Sequence, residues 1–236
     1  LVYVIAAVGI YEILRMKKFV IYSVAGILSL FATFVMLMPS SWEQQVIEWT
    51  TYSKLELLFI TAILLLVYSV IVKNQFTFDD VAFVILSTLY VGMGFYYLIA
   101  TRDAGLAYII FALLVVWTTD SGAYFTGRRF GKNKLWPEIS PNKTVEGFVG
   151  GIVIAVIAVI IMQLISPFDV SWVVLILIAI VSSIFGQMGD LVESAIKRHY
   201  DVKDSGNILP GHGGILDRFD SLLFVLPLLN LLHFVS

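Results

Sequence analysis

The chain has 236 residues, 59% of them hydrophobic and 14% charged, with a formal net charge of −2. A soluble domain is nearer roughly half apolar and a quarter charged, so this composition, with a mean hydropathy of +0.93, excludes an ordinary soluble domain and points to a polytopic membrane protein. There is no cysteine, which excludes disulfides, thiolate nucleophiles and Cys-ligated zinc or iron–sulfur sites.

The chain begins at Leu1, inside an apolar run and without Met, so a preceding piece with further membrane segment is expected. No cleavable signal peptide is recognisable. The first run, 1–14, ends at Arg15, Lys17 and Lys18, and the second, 19–38, stops at Pro39. Residues 40–54 read as a polar connection with Glu43 and Glu48, in which Trp42, Trp49 and Tyr52 suit an interfacial belt. A third run, 55–72, ends at Lys73, and a fourth, 81–100, follows Asp79 and Asp80. Arg102 and Asp103 mark a tight turn, and a fifth run starts near Leu106 and passes Asp120. A basic connection, 127–143, precedes a sixth run, 148–165, and a short turn, 166–171, contains Pro167. The seventh run extends from Trp172 through Asp190 toward Arg198, and the last begins near Ile215, with Pro227 placed to kink it.

The expectation is an all-α protein of about eight transmembrane helices, each closing its own backbone hydrogen bonds as hydrocarbon requires. One membrane domain, 1–236, is expected, with scaffold helices over 1–101 and a catalytic half over 102–236. Lys and Arg concentrate in alternate connections: Arg15, Lys17 and Lys18; Lys73; Arg128, Arg129, Lys132, Lys134 and Lys143; then Lys197, Arg198 and Lys203. The positive-inside rule places those connections on the cytoplasmic side. Such clusters are also explained as topology signals or contacts to anionic lipid, and no nucleic acid is expected as partner.

Residues 190–220 form the most polar stretch. Six acids, Asp190, Glu193, Asp201, Asp204, Asp217 and Asp220, stand among Lys197, Arg198, Lys203, Arg218, His199 and His212. Asp190, Glu193, Ser194 and Lys197 fall at i, i+3, i+4 and i+7, one face of a helix, and Asp217, Asp220 and Ser221 share a face on the next. Hydrocarbon turns such faces toward each other. Converging carboxylates suit a hard cation such as Mg²⁺, which fills its remaining positions with water and phosphate oxygens. Between the two faces lies the turn 210–214, PGHGG, whose glycines allow N–H groups to approach an anion, with Gly214 just before a helix start. His199 reads as interfacial and His233 as structural, while His212 is open between structural and functional roles.

A second cluster begins at Asp120-Ser121-Gly122, at the end of the fifth run. Asp120 is open between metal ligand, substrate contact and buried partner of Arg128 or Lys143. Ser140-Pro141 predicts a helix N-cap followed by Pro at the first position, which would aim Asn142 and Lys143 at the mouth of the bundle.

Ser194-x-Ile196-Lys197-Arg198, Lys203-Asp204 and Leu209-Pro210-x-His212-Gly213-Gly214-Ile215-x-Asp217-Arg218-Phe219-Asp220 together resemble the signature of the phosphatidate cytidylyltransferases, with no departure from it. Residues 120–147 also resemble bacterial members, so the likeness covers most of the C-terminal half. It implies the reaction of CTP with phosphatidate to give CDP-diacylglycerol and diphosphate, with Mg²⁺ alone or with a second cation. It implies a homodimeric helical enzyme of the cell inner membrane, its funnel open to the cytoplasm and sideways to membrane lipid. In the family, the metal-binding acids match Asp190 and Asp217.

The lipid phosphate is already largely ionised at neutral pH, its second pKa being about 6, so no strong general base is needed. Bringing two anions together requires cations instead. Lys197, Arg198, Lys203 and Arg218, with His212, are the catalytic candidates beside Asp190 and Asp217. Asp120, Asn142, Lys143, Ser194, Asp204, Gly213, Gly214 and Asp220 are the candidates for substrate binding, and Glu193 and Asp220 also for orienting the ligands. The rival readings are a CTP-dependent lipid-alcohol kinase and a cation-coupled transporter.

Overall fold

The computed structural model describes residues 1–208, 211 and 213–235. Each apolar run contains a helix, and the described residues hold ten α-helices and one two-stranded antiparallel hairpin. The chain divides into two compact units, one of residues 1–100 with 204–216, the other of the remainder.

The first unit contains α1 (Val2–Met16), α2 (Val24–Leu37), α3 (Ser40–Thr50), α4 (Lys54–Ile71) and most of α5 (Phe78–Ala104). Helix α2 packs on α1 and α4. Ser29 and Thr88 share a buried hydroxyl–hydroxyl bond of 3.2 Å that ties α2 to α5. The polar stretch read as a connection contains α3, which is bent 117° from α2 at Pro39. Trp42 and Trp49 on it are exposed, as an interfacial helix requires. Helix α4 opens with a capping box: the Glu56 N–H donates to Ser53 Oγ and the Ser53 N–H to Glu56 Oε2.

The second unit contains the end of α5, α6 (Leu106–Phe130), β1 (Lys134–Trp136), β2 (Ser140–Thr144), α7 (Val145–Ile165), α8 (Trp172–His199), α9 (Leu216–Phe219, from Asp217 on) and α10 (Leu222–Leu231). Helices α6 and α7 meet through small residues. A Cβ on Gly151 would stand 2.8 Å from the Thr119 carbonyl, one on Gly122 2.8 Å from Ile154, and one on Gly150 inside the Thr126 side chain. Close backbone approach through glycine is how helices gain packing energy where lipid removes the hydrophobic drive. A buried bond and a half-buried one add α8 to the pair: Thr119 to Ser183 at 2.8 Å, and Gln187 Nε2 to the Phe148 carbonyl at 3.2 Å. Gly189 of α8 faces the Asp220 carbonyl, which would lie 2.6 Å from an added Cβ.

Two local expectations change. Ser140-Pro141 does not cap a helix: residues 140–144 are a strand paired with β1, and α7 starts at Val145 with Thr144 as its cap, its Oγ1 accepting the Gly147 N–H at 3.1 Å. The hairpin wins because its base is tied to the new helix: the N–H groups of Lys132 and Asn133 donate to the Glu146 carboxylate. Lys134 Nζ also donates to the Pro141 carbonyl at 2.6 Å. The last run is also not one helix. It is a single turn, α9, and then α10, with a break where Asp220 Oδ1 accepts the Ser221 N–H at 2.6 Å.

Five helices, α4 to α8, are long and apolar enough to cross a bilayer, or six spans if the bent pair α2–α3 counts as one. Helices α1, α2 and α10, at 15, 14 and 10 residues, are shorter than the ~20 residues that a straight crossing takes.

Candidate functional site

Helices α6, α7 and α8 and the hairpin enclose a cleft of about 550 Å³ in the second unit. Asp120 of α6 and Asp190 of α8 line it, with Arg128, Lys132, Lys134 and Lys143. The glycine packing of α6 on α7 brings these groups together, and Gly127, Gly131 and Gly147 line the cleft where the backbone packs closely against Thr144 and Ala123. Lys143 lies just before the cap of α7, and its Nζ sits 2.6 Å from Asp190 Oδ2. Ser194, one turn along α8, donates its hydroxyl to Asp190 Oδ1 at 3.3 Å.

Asp220 joins this acidic group. Its removal from water and the neighbouring carboxylates of Asp190 and Asp120 push its pKa up to about 7, against the opposing Ser221 N–H bond and the Lys197 charge. Asp120 lies within α6, which continues to Phe130, and Lys143 makes its direct ion pair with Asp190 while its charge also acts on Asp120. Arg128 Nη1 bonds the Tyr124 hydroxyl at 3.1 Å.

A second polar cluster forms where α8 meets α9. Lys197 Nζ lies 2.6 Å from Asp217 Oδ1 and is also paired with Glu193, one turn back on α8. The two polar faces read from the spacing do meet. Glu193 is 1% exposed, so its charge depends on Lys197 for compensation.

The remaining candidates are dispersed. Arg198 reaches the hairpin, its Nε donating to the Ile139 carbonyl and Nη1 to that of Val202, both at 3.4 Å. Lys203, Asp204 and Arg218 are exposed, and Asn142 lines the cleft from the hairpin. Gly211 and Gly213 take left-handed backbone angles, φ +73° and +77°, which favour glycine. His212 lies outside the described residues.

Gly214 lies against Glu12 of α1. Glu12 is fully buried, and its Oε1 accepts the Ile215 N–H at 2.9 Å. Its Oε2 accepts the Leu216 N–H at 2.9 Å and the Ser205 hydroxyl at 3.1 Å. The N–H groups expected to meet a substrate anion at this helix start are directed to a carboxylate of the chain itself. Nothing in the apolar sequence around Glu12 announces this, apart from a lone acid inside a membrane run. Arg128, Lys132 and Lys134 also gain weight here, since their run reads in sequence chiefly as a topology signal.

The chain matches the family model described as "Cytidylyltransferase family" over residues 1–236. It belongs to the cytidylyltransferase family. Relatives run nearly end to end with it. The phosphatidate cytidylyltransferase of Bacillus subtilis (strain 168) is 54% identical over 235 residues, 98% of this chain and 87% of that protein. That of Staphylococcus haemolyticus (strain JCSC1435) is 51% identical over 230 residues, again 98% and 87%. That of Staphylococcus aureus (strain COL) is 46% identical over 229 residues, 97% and 86%.

Among the described residues, the metal donors gathered here are carboxylate oxygens: those of Asp190, Asp120 and Asp220 near the cleft, and of Asp217 beside Lys197. Among the described residues no three His, Asp or Glu side chains form a closed metal cage. Mg²⁺ does not require one, since it takes one or two protein carboxylates and completes its octahedron with water and substrate phosphate.

Proposed function

We propose that this membrane enzyme transfers the cytidylyl group of CTP to phosphatidate, forming CDP-diacylglycerol and releasing diphosphate. The observation that carries the reading is the cleft in which Asp120 and Asp190 face Arg128, Lys132, Lys134 and Lys143 within a bundle of membrane helices. The near full-length likeness to phosphatidate cytidylyltransferases supports it.

In the reaction an ionised oxygen of the phosphatidate phosphate attacks the α-phosphorus of CTP. The bond from that phosphorus to the bridging oxygen of the β-phosphate breaks, and the electron pair leaves with diphosphate. The attacking group is already an anion, so the protein's task is charge compensation and alignment. Arg128, Lys132, Lys134 and Lys143 receive the polyphosphate, and the low-dielectric helix walls strengthen each contact. Lys143 also balances Asp190 before substrate arrives. Lys197 holds Asp217 in place, with Glu193 behind it. Arg198 braces the hairpin, and Lys203 and Arg218 serve the phosphates from the exposed side.

Asp190 and Asp217 would hold Mg²⁺, with Asp120 and Asp220 as the nearby acids, and the bound cation supplies charge neutralisation for the attacking and leaving oxygens. The distribution of Lys and Arg orients the hairpin and the 190–220 stretch toward the cytoplasm of a bacterial plasma membrane. The resemblance adds a homodimer, which light scattering on detergent-solubilised protein reads directly.

The test is turnover by solubilised protein given phosphatidate, Mg²⁺ and CTP labelled separately at the α- and γ-phosphates. Label from the α-phosphate enters lipid and diphosphate is released. Label from the γ-phosphate entering an added lipid alcohol would make the protein a kinase and overturn the reading.

A further inference from the structure

We propose that Glu12 is a positioning residue of the reaction: a buried carboxylate built into the first helix that shapes residues 205–206 and 214–216 around itself. Four observations carry this. Glu12 is 0% exposed, so it touches no substrate. Both its oxygens are engaged by donors of that segment, from Ser205, Ile215 and Leu216, at 2.9 to 3.1 Å. A Cβ on Gly206 would run into the Glu12 carboxylate, and a Cβ on Gly214 would come within 2.5 Å of each of its oxygens. Leu216, whose N–H is held, immediately precedes Asp217 in the chain.

Burying a carboxylate is costly unless each oxygen is hydrogen-bonded, and bonds to a charged acceptor are the stronger kind. A segment offering two backbone N–H groups and a hydroxyl satisfies Glu12 in one conformation. A loop path that withdrew these donors would leave the buried acid without them. Residues 205–208 and 214–215 lie in neither a helix nor a strand, so the carboxylate does the work there that a helix or sheet does elsewhere. The segment's glycines are explained by the same fit, since Gly206 and Gly214 are the positions where a side chain would displace the acid. Glu12 therefore fixes the backbone that leads into Asp217, and acts on catalysis through that backbone.

The inference rests on the proposed activity for its kinetic readout, and a second readout is independent of activity. The variants are Glu12→Gln, which turns an NH₂ toward the backbone donors at nearly constant volume, and Gly206→Ala, which crowds the carboxylate while leaving it in place. Each is purified in detergent and compared with the parent for CTP turnover, for unfolding temperature and for hydrogen exchange of peptides covering 205–216.

The expected result for each is a kcat lowered about tenfold or more with KM for CTP within about twofold, and faster exchange confined to 205–216. Glu12→Asp restores part of the lost kcat relative to Glu12→Gln. The effects of Glu12→Ala and Gly206→Ala are less than additive, because the methyl group meets nothing once the carboxylate is gone. An unchanged kcat in the two variants, or a loss that tracks a global fall in unfolding temperature with exchange rising throughout, overturns the proposal. Should the parent itself turn over no CTP, the functional reading fails, and unaltered exchange at 205–216 in Glu12→Gln is what would then reject the placement of Glu12.

Discussion

Asp190 and Glu12 are both acids on helices with apolar stretches, and their surroundings differ in kind. Asp190 opens onto a cleft of about 550 Å³, carries an ammonium from Lys143 at 2.6 Å, and has Asp120 and Asp220 as neighbours. Glu12 is fully buried, and among the described residues two N–H groups and one hydroxyl hold it. A carboxylate kept by a mobile cation beside open space can exchange that cation for a metal or a substrate phosphate. One held by backbone donors in a sealed pocket cannot, and serves geometry. The same side-chain chemistry is thus divided between reactivity and architecture by what supplies the compensating charge.

The largest expected effect breaks the reactive side of this comparison. Asp190→Asn keeps the shape of the cleft but removes the charge opposite Lys143, and should lower kcat by about 10²-fold or more while leaving the unfolding temperature near that of the parent. Near-normal Mg²⁺-dependent turnover in the purified variant would remove Asp190 from the machinery. Lys143→Ala comes next. It should raise KM for CTP about tenfold, with Lys143→Arg recovering part of the loss, as read from initial rates against CTP concentration.

Asp220 sharpens the comparison through pH. Its pKa is raised from 3.8 to about 7 in the folded protein. Between those values the folded state keeps a proton that the unfolded state has lost, so this group makes stability fall as pH rises through that window. The penalty is fully present above about 7. Asp220→Asn should flatten the pH dependence of the unfolding temperature across that range. An unchanged slope would mean that Asp220 stands apart from Asp190 and Asp120.

Two smaller effects concern the scaffold and the surface. Gly150→Ala places a methyl group in the Thr126 side chain and should cost about 1–3 kcal/mol of stability, measured by chemical denaturation. Lys203→Ala, at an exposed site, should change stability by no more than about 0.5 kcal/mol. Any loss of turnover in that variant is then a measure of its part in handling phosphate.

Much of the helical architecture is legible in the sequence because a bilayer admits few solutions: a long apolar run in lipid must close its own hydrogen bonds. The extension of α8 to His199 follows from the helical spacing of Asp190, Ser194 and Lys197, and the spacing also brings that face to Asp217. The hairpin is not legible. Residues 134–144 are short, polar and interrupted by Pro137 and Pro141, and what makes them strands is the Glu146 carboxylate at their base and Lys134 on the Pro141 carbonyl. Helix α3 is hidden for a related reason, since its polar residues read as a connection and none of them is buried to mark a packed face.

The sequence by itself determined that this is a helical membrane protein with its acids and cations gathered at 190–220, because composition and spacing carry hydropathy and helical periodicity, and its signature carried the resemblance to a family of enzymes. Only the tertiary structure decided which acid meets which cation. Lys143 with Asp190, Lys197 with Asp217, and Glu12 with the backbone of 215 and 216 are pairings across long separations in the chain. They depend on where glycine lets one helix approach another and on which buried polar atoms must be satisfied, and those are properties of packed neighbours that no local pattern encodes.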